Sequence, residues 1–130
     1  MIDLDNLKKV NDIYGHISGD RYIRTMADIL AESPTEGQIA ARLGGDEFVL
    51  VLYDMEKKEI AATLNRLCSY RGKTEVEMEN GDRVALEFSI GVAMYPEEET
   101  DYNRLISIAD ERMYEEKQQR KKKNGAKEDG

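Results

Sequence analysis

The chain has 130 residues, a formal net charge of −8 at pH 7, 40% hydrophobic residues and a single cysteine. That length accommodates one domain with its own hydrophobic core. The apolar residues are too dispersed for an 18-residue membrane span or a signal peptide, so we expect no membrane contact by this domain. Cys68 cannot form an internal disulfide, and we expect it to pack in the core of a cytoplasmic protein.

The negative charge is unevenly distributed along the chain. From Lys117 onward there are six basic residues and only two acidic ones, which leaves residues 1–116 with a formal charge of −12. Such an acidic body is not expected to bind nucleic acid, because that affinity depends on lysine and arginine neutralising phosphates. A small phosphorylated ligand is compatible with it if a divalent cation bridges the phosphates to carboxylates.

Hydrophobic periodicity predicts helices alternating with antiparallel strands. A short apolar strand ends at Asp3, a loop over 16–19 separates the first two helices, and Asn80-Gly81 marks a tight hairpin turn. Helices are predicted over 6–14, about 20–32, 57–70 and 102 to about 122, and strands over 39–43, 47–53, 74–78 and 83–94. The order predicts an α/β protein of the α+β sandwich type, with a domain over residues 1–123 and a disordered tail over 124–130.

Two adjacent carboxylates stand at a glycine turn in the predicted hairpin. Gly44 and Gly45 permit a sharp turn, and Asp46 and Glu47 come directly before an apolar run that reads as a buried strand. A metal ion and a phosphate can bind at such a turn, although by itself the pattern is more typical of a plain hairpin. The cluster over 3–6, which contains Asp3, Asp5 and Asn6, is by itself more typical of a helix-cap region than of a metal site.

Four motifs in order carry a resemblance to a known family. They are Asp3 to Asp20 (DLDNLKKVNDIYGHISGD), Arg42 to Phe48 (RLGGDEF), Phe88 to Ala93 followed by Tyr95-Pro96, and Ala109-Asp110 with Met113-Tyr114 and Lys117 in the last helix. Together they resemble the GGDEF family of diguanylate cyclases over nearly the whole chain. The resemblance implies a palm-like nucleotidyl-cyclase fold, with a central, mainly antiparallel sheet flanked by helices.

The resemblance also implies a reaction and its partners. Two GTP molecules would be condensed to cyclic di-GMP with release of two pyrophosphates, at the interface of two GGDEF domains in a homodimer. The activity would depend on Mg²⁺, with Mn²⁺ as an alternative, and a sensor domain would lie upstream in a bacterial signalling protein. A domain that binds GTP or a protein partner without turnover is the alternative.

Roles for individual residues follow from the same resemblance. Asp3 and Asp46 would be carboxylate ligands of the metal, together with the main-chain carbonyl of Leu4. Glu47 would be a second metal ligand or the base that receives the proton of the attacking 3′-hydroxyl. Gly44 and Gly45 would bring the turn close to the substrate.

Base and phosphate contacts are implied as well. Asn11 and Asp20 would read guanine, because an amide and a carboxylate match the donors and acceptors of its edge, and His16 would help to seat the nucleotide. The implied triphosphate contacts are Lys8, Lys117 and Lys121. Lys117 could equally belong to a solvated basic tail. Lys121 stands where the family usually has arginine, which keeps the charge but loses bidentate geometry.

One departure from the family concerns the start of the chain. The family normally has a helix and most of a central strand before the position of Asp3, and neither is in this sequence. We therefore expect a fold that lacks its N-terminal helix and most of its first strand, with Asp3 at a frayed end.

Overall fold

A computed structural model describes residues 1–32 and 36–128, with side chains through residue 123. Its elements are β1 (Ile2–Leu4), α1 (Leu7–Tyr14), α2 (His16–Ala31), β2 (Gln38–Gly44), β3 (Glu47–Leu52), α3 (Lys57–Tyr70), β4 (Glu75–Glu77), β5 (Arg83–Ala85), β6 (Phe88–Ile90) and α4 (Tyr102–Glu128). Antiparallel strands flanked by helices make this an α+β fold, which confirms the predicted fold class. Among the described residues no helix is long and apolar enough to cross a bilayer.

The chain divides into two compact units. The β6–α4 unit comprises Met1–Asp3 and the residues from Phe88 onward. In it β6 is the neighbour of β1, and the Gly91 amide donates a hydrogen bond of 2.9 Å to the Met1 carbonyl. Helix α4 packs closely on Gly91, where an added Cβ would overlap the helix backbone at Ala109 and Met113. Glycine is therefore required at this contact because of its size.

An ion pair ties the loop after β6 to α4. The Arg112 guanidinium donates to Glu98 at 2.8 and 3.0 Å and to the Val92 carbonyl at 2.7 Å. The Glu98 carboxylate also accepts the Met94 amide at 2.7 Å. These hydrogen bonds, that from Arg112 above all, lower the pKa of Glu98, since they favour its ionised form.

The hairpin unit comprises Leu4–Glu87. Strand β3 pairs antiparallel with β2 on one side and, through Leu4, is the neighbour of β1 on the other. Strands β4 and β5 form a separate antiparallel pair around the Asn80-Gly81 turn, where Gly81 has a φ of 92°. The core is formed mainly by apolar side chains of α1, α2, β1 and β3, namely Leu4, Leu7, Val10, Tyr22, Met26, Ile29, Leu30 and Phe48.

Three predicted boundaries differ from the structure by more than two residues. The predicted loop over 16–19 is the first turn of α2, because Ser18 and Gly19 are buried and the Ser18 hydroxyl accepts the Glu79 amide at 3.0 Å. The predicted strand over 83–94 is split at residues 86–87, where the Glu87 amide donates to the Tyr22 hydroxyl and the Glu87 carbonyl accepts the Asp5 amide, each at 2.8 Å. Helix α4 continues to Glu128, through most of the predicted tail, and its lysine, glutamate and glutamine residues favour helix.

Cys68 was predicted in the core and is exposed instead, since α3 turns Leu67 inward.

The remaining helices match the prediction closely. Helix α3 has the predicted bounds, and Gly15, with a φ of 91°, ends α1 as expected.

The hydroxyl of Tyr22 joins three backbone groups inside the hairpin unit. It donates toward the carbonyls of Ala85 at 3.1 Å and Asp5 at 3.3 Å, and it accepts the Glu87 amide at 2.8 Å. The side chain is fully buried. Asp5 and Glu87 are also joined directly, by an amide-to-carbonyl bond of 2.8 Å. Tyr22 therefore fixes the chain just after β1 and the chain between β5 and β6.

We predict that Tyr22→Phe lowers the free energy of unfolding by about 1–3 kcal/mol, because the Glu87 amide loses a buried acceptor. Chemical denaturation of the two proteins measures this. Tyr70→Phe is the matched control, since its hydroxyl bonds to the exposed side chain of Glu32 and its loss is expected to cost less than about 0.5 kcal/mol. Equal effects of the two substitutions would contradict the role given to Tyr22.

Candidate functional site

The glycine turn joins β2 to β3 in the predicted place. Gly44 pairs with Glu47 in the hairpin register, and Gly45 and Asp46 form the turn between them. Gly44 has a φ of 152° and Gly45 one of 43°, values that favour glycine. Phe48, directly after the two carboxylates, is buried with 2% exposure and anchors the turn to the core. Both carboxylate residues are half-buried.

A side chain that the sequence did not single out supports this turn. The Arg42 guanidinium folds over it and donates two hydrogen bonds to the Gly45 carbonyl, from Nη2 at 2.8 Å and from Nε at 3.1 Å. A bidentate contact of this kind restrains the backbone immediately before Asp46. The signal available in the sequence was an arginine two residues before the pair of glycines.

The turn also contacts the first motif of the chain. The Leu4 amide donates a hydrogen bond of 2.9 Å to the Asp46 carbonyl. These two residues belong to separate motifs, and both were predicted to take part in metal binding. Their backbones are therefore neighbours within the hairpin unit, and Leu4 is joined covalently to Asp3.

Asp3 has a partner in the β6–α4 unit. Its Oδ2 lies 2.8 Å from Nζ of Lys117, and the two side chains are only 12% and 17% exposed. The sequence predicted these residues for different tasks, Asp3 for metal and Lys117 for phosphate. Asp3 does not lie at a frayed end, since it is buried within β1. Lys117 does not belong to a solvated tail.

The two residues predicted to read guanine are carried by α1 and α2. The Asn11 side chain lies against Gly19, so closely that a Cβ on Gly19 would overlap its amide. Asp20 follows Gly19 and is exposed, whereas Asn11 is half-buried. Because residues 16–19 form a helical turn, Gly19 lies against Asn11, and Asp20 comes directly after Gly19. Gly19 is a further candidate residue of this site.

The remaining predicted residues lie on the surface. Lys8 is in the first turn of α1, His16 is the first residue of α2, and Lys121 lies one helical turn after Lys117 on α4. All three side chains are exposed and thus accessible to a ligand.

The oxygen donors at these positions suit a hard divalent cation. Carboxylates of Asp3 and Asp46 and the carbonyl of Leu4 are the ligand types that Mg²⁺ prefers. The Asp3 carboxylate already holds a cation, the Lys117 ammonium, at 2.8 Å. Within the described part of the chain, no three His, Cys, Asp or Glu side chains are grouped as a ready metal site.

Comparison with known proteins identifies the family. The model of the family described as diguanylate cyclase, GGDEF domain, matches residues 1–123. The chain belongs to the GGDEF domain family. This confirms the resemblance drawn from the four motifs.

Relatives of this GGDEF domain are known by sequence and by structure. It is 39% identical over 114 residues to diguanylate cyclase DosC of Escherichia coli K12, covering 88% of this chain and 25% of the relative. It is similar to the solved GGDEF domain of TpbB (YfiN) from Pseudomonas aeruginosa, with 31% identity, a TM-score of 0.83, and coverage of 91% of this chain and 69% of that chain.

A third relative was solved with a ligand. It is the GGDEF domain of DgcB from Caulobacter crescentus in complex with c-di-GMP, at 26% identity and a TM-score of 0.77, covering 90% of this chain and 69% of that chain. The chain thus spans about a quarter of the length of DosC. What these relatives share with it is the GGDEF domain.

We predict that Gly19→Ala turns the Asn11 side chain away from its present position, because a methyl group and the Asn11 amide would overlap. The side-chain amide resonances of Asn11 in an NMR spectrum would shift. In an Asn11→Ala background the overlap is absent, so Gly19→Ala should there stabilise α2 by about 0.5–1 kcal/mol through helix propensity. An equal stability change in both backgrounds would contradict the contact.

Proposed function

We propose that this domain is a diguanylate cyclase that condenses two GTP molecules to cyclic di-GMP and two pyrophosphates. The observation that carries the proposal is the Leu4–Asp46 hydrogen bond, which sets the carboxylate-bearing turn beside the first motif. Membership of the family and the names of the relatives support the same reaction. The solved complex of DgcB with c-di-GMP supports the identity of the product.

Asp3, Asp46 and the Leu4 carbonyl would hold the metal, which we propose is Mg²⁺, with Mn²⁺ as an alternative. When bound, such an ion stabilises negative charge on the transferring phosphoryl group and on the leaving pyrophosphate. Arg42 holds the Gly45 carbonyl in the turn, and this restrains the backbone that presents Asp46. The protein's contribution is therefore largely one of positioning.

Glu47 would act on the attacking 3′-hydroxyl group in this proposal. It is the first residue of β3 and half-buried, and the strand that follows is fixed by buried Phe48. In the reaction the 3′-oxygen of each GTP forms a bond to the α-phosphorus of the other, and each bond from an α-phosphorus to its pyrophosphate breaks. Glu47 takes the 3′-hydroxyl proton or binds a second metal ion.

Asn11 and Asp20 recognise guanine in this proposal, with His16 alongside, while Lys8, Lys117 and Lys121 contact the triphosphate. Gly44 and Gly45 let the substrate approach the backbone of the turn. Two such domains face each other in a homodimer, because each supplies one GTP. A sensor domain upstream would control their encounter in the cytoplasm.

We predict that the purified chain, joined to a dimerising coiled coil, forms cyclic di-GMP from GTP in the presence of Mg²⁺. Chromatography of the nucleotides measures the product. Asp46→Asn keeps the size of the side chain but removes its charge, and it should lower the rate by roughly 100-fold or more. A folded dimer that binds GTP without forming product would contradict catalysis and leave a binding domain.

We predict that Asp20→Ala lowers the preference for GTP over ATP by roughly 10- to 100-fold, the equivalent of about 1.5–3 kcal/mol for a hydrogen bond to a charged group. Competition binding of the two nucleotides measures the preference. Asp12→Ala removes an exposed carboxylate from α1 and serves as the matched control. Unaltered selectivity in Asp20→Ala would contradict the assignment of the guanine pocket.

A further inference from the structure

The ion pair between Asp3 and Lys117 joins two residues that the proposed function uses separately. Nζ and Oδ2 are 2.8 Å apart, and neither side chain is more than 17% exposed. A carboxylate so far removed from solvent needs a nearby positive charge. In the protein without metal or nucleotide, Lys117 supplies that charge.

The position of Lys117 is set by the packing of α4. Gly91 lies against the backbone of Ala109 and Met113, and Lys117 follows Met113 by one helical turn on the same face. Glu116 accepts the Ile90 amide at 3.0 Å through its Oε1. Because these contacts fix α4, the backbone of Lys117 has a defined position, from which its side chain reaches Asp3.

An ammonium and a divalent cation compete for this carboxylate. A metal ion bound to Asp3 would lie within a few ångströms of Nζ, so the two positive charges would repel each other. The long flexible stem of lysine allows its ammonium to move while its backbone stays in place. A triphosphate beside the metal offers that ammonium new anionic partners.

We propose that Lys117 is an exchangeable counter-cation of the metal site, an inference that rests on the proposed function. In the absence of metal it neutralises Asp3. Binding of the metal displaces the ammonium from Asp3, and the nucleotide's phosphates receive it. Metal alone therefore binds weakly, because it must displace the ammonium, and nucleotide strengthens metal binding, because its phosphates attract the displaced ammonium.

The test is nucleotide-free binding of Mn²⁺, followed by electron paramagnetic resonance, in the wild type and in Lys117→Met. Methionine keeps a similar length without the charge. The variant should bind Mn²⁺ roughly fivefold more tightly or better, since no ammonium competes. Lys122→Met removes the same charge from an exposed position of α4 and should leave the affinity unchanged. Equal or weaker Mn²⁺ binding by Lys117→Met would overturn the inference.

A second measurement needs no substitution and therefore holds even if Lys117→Met fails to fold. Acetylation of the wild type by an amine-reactive ester, quantified by mass spectrometry, reports the accessibility of Nζ. Mg²⁺ alone should speed the labelling of Lys117 but not of Lys122, and addition of a non-hydrolysable GTP analogue should slow it again. Labelling of Lys117 that does not respond to Mg²⁺ would overturn the inference.

These results separate the inference from the proposed function. Cyclic di-GMP formation together with unaltered Mn²⁺ affinity in Lys117→Met would overturn the counter-cation role and leave the cyclase. Metal-dependent exposure of Lys117 in a chain that makes no cyclic di-GMP would support the counter-cation role and contradict the proposed cyclase activity.

Discussion

The fold of the hairpin unit depends on one buried hydroxyl. Tyr22 hydrogen-bonds to backbone groups of Asp5 and of the segment Ala85 to Glu87, two segments that lie far apart in the sequence. Each of these backbone groups bonds to the same hydroxyl, so their common partner fixes where the segments run. The residue before Asp5 is Leu4, whose amide bonds to Asp46. The contact between the glycine turn and β1 therefore lies one residue away from a segment that Tyr22 holds in place.

Close backbone packing has the corresponding effect in the β6–α4 unit. Helix α4 approaches Gly91 more closely than any side chain would permit, and Glu116 adds a hydrogen bond to the Ile90 amide. These contacts place Lys117 opposite Asp3. The basic C-terminal half of α4 thereby places a positive charge beside Asp3 in an otherwise acidic chain. A divalent cation and phosphates are proposed to bind at this position.

Local sequence patterns predicted those elements whose stability is local. Helix α3 and the glycine hairpin have a clear periodicity and clear turn residues, and both were placed correctly. The first turn of α2 was mistaken for a loop, because serine and glycine are weak helix formers and only their burial beside Glu79 and Asn11 makes them helical. The split between β5 and β6 was missed because residues 86–87 bond outside any strand.

The sequence by itself determined the family, the turn that presents Asp46 and Glu47, and the residue types suited to metal, phosphate and guanine. Those properties reside in short stretches of chain, whose chemistry and turn geometry are local. Only the tertiary structure decided that Arg42 buttresses the turn, that Gly19 confines Asn11, and that Asp3 is paired with Lys117. The last contact joins residues 114 positions apart, and such a pairing depends on packing that no local pattern encodes.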